Sequence, residues 1–158
     1  MKSIKERGLF KQNIKNMLFS SNYVMKVLID DYEKLTAKKK REKFLERVKS
    51  HLFIDDTLTE KGTYIFFDIV VQNIVSQIKD CKIVMYLVCH RDLLDDFEME
   101  GYYGNRADVL SQTVEGALLN TKNAKQFGIG DLLIYSIDIY NSSNYYGVQM
   151  IFDTECFK

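Results

Sequence analysis

A chain of 158 residues, 46% hydrophobic and 28% charged, can bury one core and has the composition of a globular protein. No apolar run approaches the roughly 20 residues of a membrane span, and Met1–Arg7 opens no apolar leader, so neither a membrane protein nor a signal peptide is expected. Net charge is zero but split: residues 1–51 hold fourteen Lys+Arg against six Asp+Glu, and residues 52–158 hold eight against sixteen, which suits an anion partner or head-to-tail contact between copies.

Residues 2–19 pattern as a helix with Ile4, Leu9 or Phe10, Ile14, Met17 and Leu18 in an apolar stripe. Ser20-Ser21-Asn22 interrupts it and offers an N-cap to a second helix, Tyr23 to Asp31. Thr36 can cap a third, Ala37 to about Leu52, with Phe44, Leu45, Val48 and Leu52 on one side. Its first turn carries Lys38, Lys39, Lys40 and Arg41, the unfavourable end for cations in a helix dipole. That run is a candidate contact for an anion or for DNA, passive and without base reading.

Gly62 to Gln72 alternates as a strand, with Ile65, Phe67, Ile69 and Val71 on one face and Tyr64, Phe66, Asp68 and Val70 on the other. Cys81 to His90 alternates again. Cys81, Ile83, Met85, Leu87 and Cys89 must be core; Lys82, Val84, Tyr86, Val88 and His90 form a mixed face that calls for a partner. The two strands are expected to pair as a long antiparallel hairpin turning near Asn73–Gln77. An acidic connector follows to Gly101. The next helix runs from about Asn105, with Val109, Leu110, Val114, Ala117 and Leu118 on its apolar face. Gly128-Ile-Gly130 marks a turn, and Asp131–Tyr140 and Tyr145–Asp153 are strands around the loop Asn141–Asn144.

The expected fold is α+β: a four-stranded, mostly antiparallel sheet with a helix packed on one face, residues 52–158, preceded by a basic helical arm, residues 1–51. Cys81 and Cys89 lie about 26 Å apart at ~3.3 Å per residue along one strand and cannot pair there. The three cysteines are expected to be reduced apolar residues of a cytoplasmic protein.

Catalytic patterns are thin. Walker, nucleophile-elbow, dinucleotide and Cys-x-x-Cys motifs are absent from the sequence. His51 falls near a helix end, where a cation is favoured. His90 with Asp92, Asp95 and Asp96 is a loose metal set. Asp68 with Asp80-Cys81-Lys82 matches the sparse carboxylate-and-lysine pattern of a Mg²⁺-dependent nuclease. Hairpin pairing, however, would separate the two carboxylates by roughly 10–13 Å along the strands. The expectation is therefore a protein that is no enzyme and carries no metal or cofactor. Tyrosines number ten and gather at turns. Tyr102, Tyr103, Asn105 and Arg106 at a helix entrance, with Tyr145 and Tyr146, form a candidate protein-contact patch.

The order of elements resembles the tail-terminator, or tail-completion, proteins of long-tailed bacteriophages and phage-tail-like particles of Gram-positive bacteria. The marks are Ile54-Asp-Asp-Thr57, His90-Arg-Asp-Leu93, Tyr103-Gly-Asn-Arg106, Phe127-Gly-Ile-Gly130 and Asn144-Tyr-Tyr-Gly147, spread in order over about residues 52–153. The resemblance implies a non-enzymatic ring, usually of six copies, in the virion or tail-like particle, assembled in the bacterial cytoplasm. Such a ring ends polymerisation of the tail tube protein and meets neck, head or sheath proteins. It carries no catalytic residue to this chain.

Overall fold

The computed structural model describes residues 4–54, 60–75, 78–95, 97–120, 122 and 132–156. Helices α1 (Ile4–Ser20), α2 (Asn22–Leu28) and α3 (Ala37–Arg47) come first. A two-residue strand β1 (Val48–Lys49) leads to β2 (Thr63–Val75) and β3 (Ile78–His90). Helix α4 (Arg106–Leu118) precedes β4 (Leu132–Asn141) and β5 (Tyr145–Cys156). The sheet order is β1-β2-β3-β5-β4. Neighbours are antiparallel except β1, which runs parallel to β2.

The sequence predicts four strands and the structure has five. The added one is β1, where Val48 and Lys49 pair with Ile65 and Phe66. Two residues are too few to leave an alternating pattern, so the helical reading of α3 runs on past its real end. In consequence Val48 is buried in the sheet layer, Leu45 stands exposed, and His51 lies beyond the helix, not at its C-terminus.

Helix boundaries follow the caps. The Ser21 hydroxyl accepts from the Val24 N–H and the Thr36 hydroxyl from the Lys39 N–H. Asn105 opens α4 with a reciprocal capping box: its side chain accepts from the Asp108 N–H, and the Asp108 carboxylate accepts from the Asn105 N–H. Gly104 just before it has φ 103° and no room for a Cβ against Asp108.

One face of the sheet carries the main core. Ile65, Phe67, Ile69, Cys81, Ile83, Met85, Leu87, Met150 and Phe152 meet Val109, Leu110, Val114 and Leu118 of α4, as the alternation and the helical stripe predict. The same cluster takes in Ile14, Met17 and Leu18 of α1 and Val24, Met25, Val27 and Leu28 of α2, so one core extends on both sides of residue 51. Phe10, not Leu9, joins the inward stripe of α1. Cys89 is buried and free, but Cys81 is disulfide-bonded, which corrects the expectation of three reduced cysteines. Alternation shows which way a side chain points; it does not show its redox state.

Among the described residues, the opposite face is covered at one end. Tyr64, Phe66, Val88 and Tyr145 form a second buried cluster, with Ile54, Tyr86 and Tyr140 against it. His51 lies tilted against Phe66, and the Arg47 guanidinium sits 4.9 Å from the centre of the Tyr64 ring. The chain after α3 thus supplies part of the partner that the mixed strand face calls for. The expected turn at Gly128-Ile-Gly130 lies outside the described residues, as do Asp55–Thr57 and Asp96.

Candidate functional site

Among the described residues, β4 is the part of the sheet left without a cover. It is an outer strand, paired on one side only, to β5. Leu133, Tyr135, Ile137 and Ile139 along it are 57–74% exposed. A register shift between Ile134 and Ser136 explains why they do not share one face. Leu133 stands opposite Asp153, on the face away from α4, and Tyr135 lies there too, its ring 3.7 Å from the Lys82 ammonium. Beyond the bulge Ile137 and Ile139 stand opposite Met150 and Val148, on the helix-bearing face but past the reach of α4. Apolar side chains therefore flank the strand on both sides of its open row of backbone N–H and C=O groups. Edge strands ordinarily carry charge or proline to prevent pairing; here Asp138 is the one charged residue of Leu132–Asn141.

The opposite margin of the sheet is treated differently. Beyond the two residues that β1 covers, Arg7 of α1 donates from Nε to the Ile69 carbonyl at 3.0 Å and from Nη2 to the Asp68 carboxylate. Lys11 Nζ lies 2.7 Å from the same carboxylate, and the Ile69 N–H donates to it at 2.7 Å. Burial by itself would raise the Asp68 pKa, but the Lys11 hydrogen bond, the Ile69 N–H and the charges of Lys11 and Arg7 outweigh it and hold the group below the ordinary 3.8. A depressed folded pKa stabilises the fold at neutral pH, and that contribution disappears as acid protonates the group. Wild type should therefore exceed Asp68→Asn in urea midpoint at pH 7, and the gap should narrow as pH falls below 3.8. Equal gaps at pH 7 and pH 3 would refute this.

The residues singled out for hydrolysis are not gathered. Asp68 pairs in the backbone ladder with Val84, and Asp80 pairs with Gln72, four positions along. That spacing is about 13 Å at ~3.3 Å per residue. Lys82 donates to Asp153 at 2.8 Å, on the far side of β3 from the Arg7–Asp68–Lys11 group. The loose metal set fares similarly. His90 Nδ1 accepts from the Asp92 N–H, and the Asp92 carboxylate is engaged by Lys61, whose hydrogen bond and charge lower its pKa. Among the described residues no three His, Cys, Asp or Glu side chains are grouped to hold a metal.

The tyrosine patch separates into two kinds of residue. Tyr103 is 79% exposed and Tyr146 is half-buried, so both can meet a partner. Tyr102 is half-buried against Tyr23 and the main core. Asn105 is spent on its cap. Tyr145 is buried in the second cluster, and Arg106 is 7% exposed, so neither presents a contact surface. Spacing put them at turns; it could not show that the chain folds over them. Arg106 instead donates to the carbonyls of Val27 and Leu93, lies 3.5 Å from Asp30, and caps the Phe97 ring at 4.4 Å.

The basic run is also divided. Lys38, Lys39 and Arg41 are exposed and Lys40 is half-buried; Lys40 lies over the Tyr32 ring and Arg41 over that of Phe19. Arg41, Lys11 and Lys49 surround Lys15, whose pKa is lowered first by burial and then by those three charges. The β4 strip, which reasoning from the sequence missed, did leave a signal. Leu132-Leu-Ile-Tyr-Ser-Ile-Asp-Ile-Tyr140 is apolar at both parities, more than one sheet face of an outer strand needs. No helix among the described residues is long and apolar enough to cross a membrane.

A family model described as YomW matches residues 11–154, which takes in α2, α3, α4, most of α1 and all of the sheet but the last two residues of β5. No curated protein matches the chain.

Proposed function

We propose that this chain, which belongs to the YomW family, is a structural protein of a phage or phage-tail-like particle that forms a ring, of six copies by the tail-terminator resemblance, on the end of the tail tube. The observation that carries the reading is β4, an outer strand whose backbone row is unpaired among the described residues and which has apolar side chains on both flanks. Exposed apolar strips of this kind mark protein contacts. In a ring the strip of one copy meets a different surface of the next, a heterologous contact that closes by rotation. The basic first third and acidic remainder of the chain favour such unlike surfaces meeting. Tyr103 and Tyr146 are left to meet the tube, neck or sheath proteins, and Lys38 and Lys39 to touch DNA in passing. The ring has no catalytic role and needs no cofactor. It resides in the particle, at the tail end nearest the head.

The alternative, a Mg²⁺-dependent nuclease using Asp68, Asp80 and Lys82, draws less support, because Asp68 is held by Arg7 and Lys11 and Lys82 by Asp153. Electron microscopy of tails assembled without this protein tests the ring. Tubes of uncontrolled length are expected; tails of normal length would overturn the reading. A finer check is Ile139→Lys, a change at an exposed site that should leave stability within about 0.5 kcal/mol of wild type. The folded variant should fail to cap tube protein in a sedimentation assay.

A further inference from the structure

The two margins of the sheet stand at opposite ends of its strand order, β4 at one and β1 at the other. A group of cations gathers at the β1 margin. Lys11 of α1 donates to the Ser50 carbonyl at 3.1 Å, which sets α1 beside the end of β1. The Arg41 guanidinium of α3 lies 5.2 Å from the centre of the Phe19 ring, near the end of α1. Lys15 is one helical turn from both Lys11 and Phe19, so it stands on the side of α1 turned toward α3 and β1. Lys49 of β1 completes the group. The Lys15 pKa is held down by burial and then by the charges of Lys49, Arg41 and Lys11.

Among the described residues Lys15, Arg41 and Lys49 have no carboxylate partner. Their neighbours do: Lys11 has Asp68, Lys43 has Glu46 and Glu60, and Arg47 has Glu60. Like charges gathered without a counter-charge repel one another, and an acceptor from outside the chain relieves them. Apolar side chains accompany the cations. Leu45, one turn beyond Arg41 on the same side of α3, is 44% exposed, and Phe53, just past β1, is 71% exposed. The far margin offers the complement. Asp138, the one charge of β4, is exposed and has no cation partner among the described residues, and it stands between Ile137 and Ile139 on a strand whose outer carbonyls are unpaired there.

We infer that β4 of one copy seats on the α1–α3–β1 margin of the next, with Leu45 and Phe53 against its apolar side chains and Arg41 and Lys49 donating to Asp138 and to the open carbonyls. The inference rests on the ring reading and names the surface that receives the strip. Because the two surfaces lie at opposite margins of one sheet, each copy gives with one and receives with the other, as a heterologous contact requires. The Arg7 side chain on the Ile69 carbonyl keeps the strip from pairing with β2 and leaves the helical surface to receive it. A polyanion is the competing occupant of the cations. The chain has zero net charge, so it lacks the one-signed field that gathers such a ligand, whereas a second copy brings both the charge and the apolar surface that match.

Charge exchange tests the contact. Asp138→Lys, and Arg41→Glu with Lys49→Glu, each place like charges on both surfaces. Either variant alone should weaken self-association of the full chain at least tenfold in sedimentation at low ionic strength. Mixed in equal amounts, each carries the surface that the other needs, and association should return to within threefold of wild type. All three positions are exposed or half-buried, so melting should stay cooperative. Benzoylphenylalanine in place of Ile139 should, on irradiation, capture residues 41–53 of another copy. A mixture that does not recover would overturn the contact, as would capture of β4 itself or a wild-type chain that stays monomeric. Loss of oligonucleotide binding in the Arg41→Glu, Lys49→Glu chain with self-association unchanged would assign the cations to a polyanion and overturn it as well. Tail length tests the ring separately: tubes of uncontrolled length with an unrecovered mixture remove this contact and keep the ring, and normal tails with a recovered mixture do the reverse.

Discussion

Gly147→Ala should lower the stability of the fold by about 3 kcal/mol, the upper part of the range for forced overpacking. Gly147 stands opposite Val88 in the β3–β5 ladder, at the centre of the sheet. A Cβ there would collide with the Leu87 carbonyl and come within 2.8 Å of the Val88 Cα. Both are backbone atoms of a strand paired along its whole length, so neither can rotate away as a side-chain tip can. Relief requires the two strands to part locally, which loosens ladder hydrogen bonds and the cluster of Tyr64, Val88 and Tyr145 beside them. Urea unfolding followed by far-ultraviolet circular dichroism gives the measurement. A midpoint within experimental error of wild type would show that the strands yield easily. Gly116 provides the contrast: a Cβ there meets nothing within 4 Å, so Gly116→Ala on α4 should stabilise by up to about 1 kcal/mol through helix propensity.

Arg106→Met should cost about 3 kcal/mol, and in the isolated chain. The replacement keeps much of the apolar stem but leaves the Val27 and Leu93 carbonyls without their donor. Buried acceptors stripped of a partner cost about 1–3 kcal/mol each. The cation over the Phe97 ring is lost as well. Asp30, mostly exposed, is simply rehydrated and adds little. The variant separates two roles. An interface residue would leave monomer unfolding unchanged and alter assembly alone; a strut between α2, the segment at Leu93 and α4 lowers the urea midpoint directly. Tyr103→Ser, at a position 79% exposed, should do the reverse, with stability within about 0.5 kcal/mol and partner binding reduced.

Much of the fold was legible because its elements are long and strictly patterned. The inward faces of β2 and β3, the apolar stripe of α4, the hairpin pairing, a cap within Ser20-Ser21-Asn22 and the cap at Thr36 all rest on local rules, and the structure bears them out. What escaped depends on contacts distant in sequence. β1 is two residues long and is a strand only because β2 lies beside it. Arg106 and Tyr145 carry side chains typical of interfaces, and tertiary folding alone decides that they face inward. The same holds for Arg47 and Gly62, fifteen positions apart: no periodicity links a helix-end arginine to a glycine before a strand, yet the guanidinium packs where a side chain at residue 62 would lie.

The plugged margin of the sheet bears on how the protein avoids fibre formation. Endless cross-strand stacking requires each molecule to offer two open seams, one to receive and one to pass on. Here, among the described residues, the Arg7 side chain occupies the Ile69 carbonyl on one seam, and β4 is open on the other. A molecule with one open seam can receive a neighbouring strand there but cannot pass the pairing on, so strand-by-strand growth stops, and a ring contact through β4 engages a different surface of the next copy. Arg7→Ala unblocks the second seam, and turbidity of concentrated solutions should rise in that variant while the wild type stays clear.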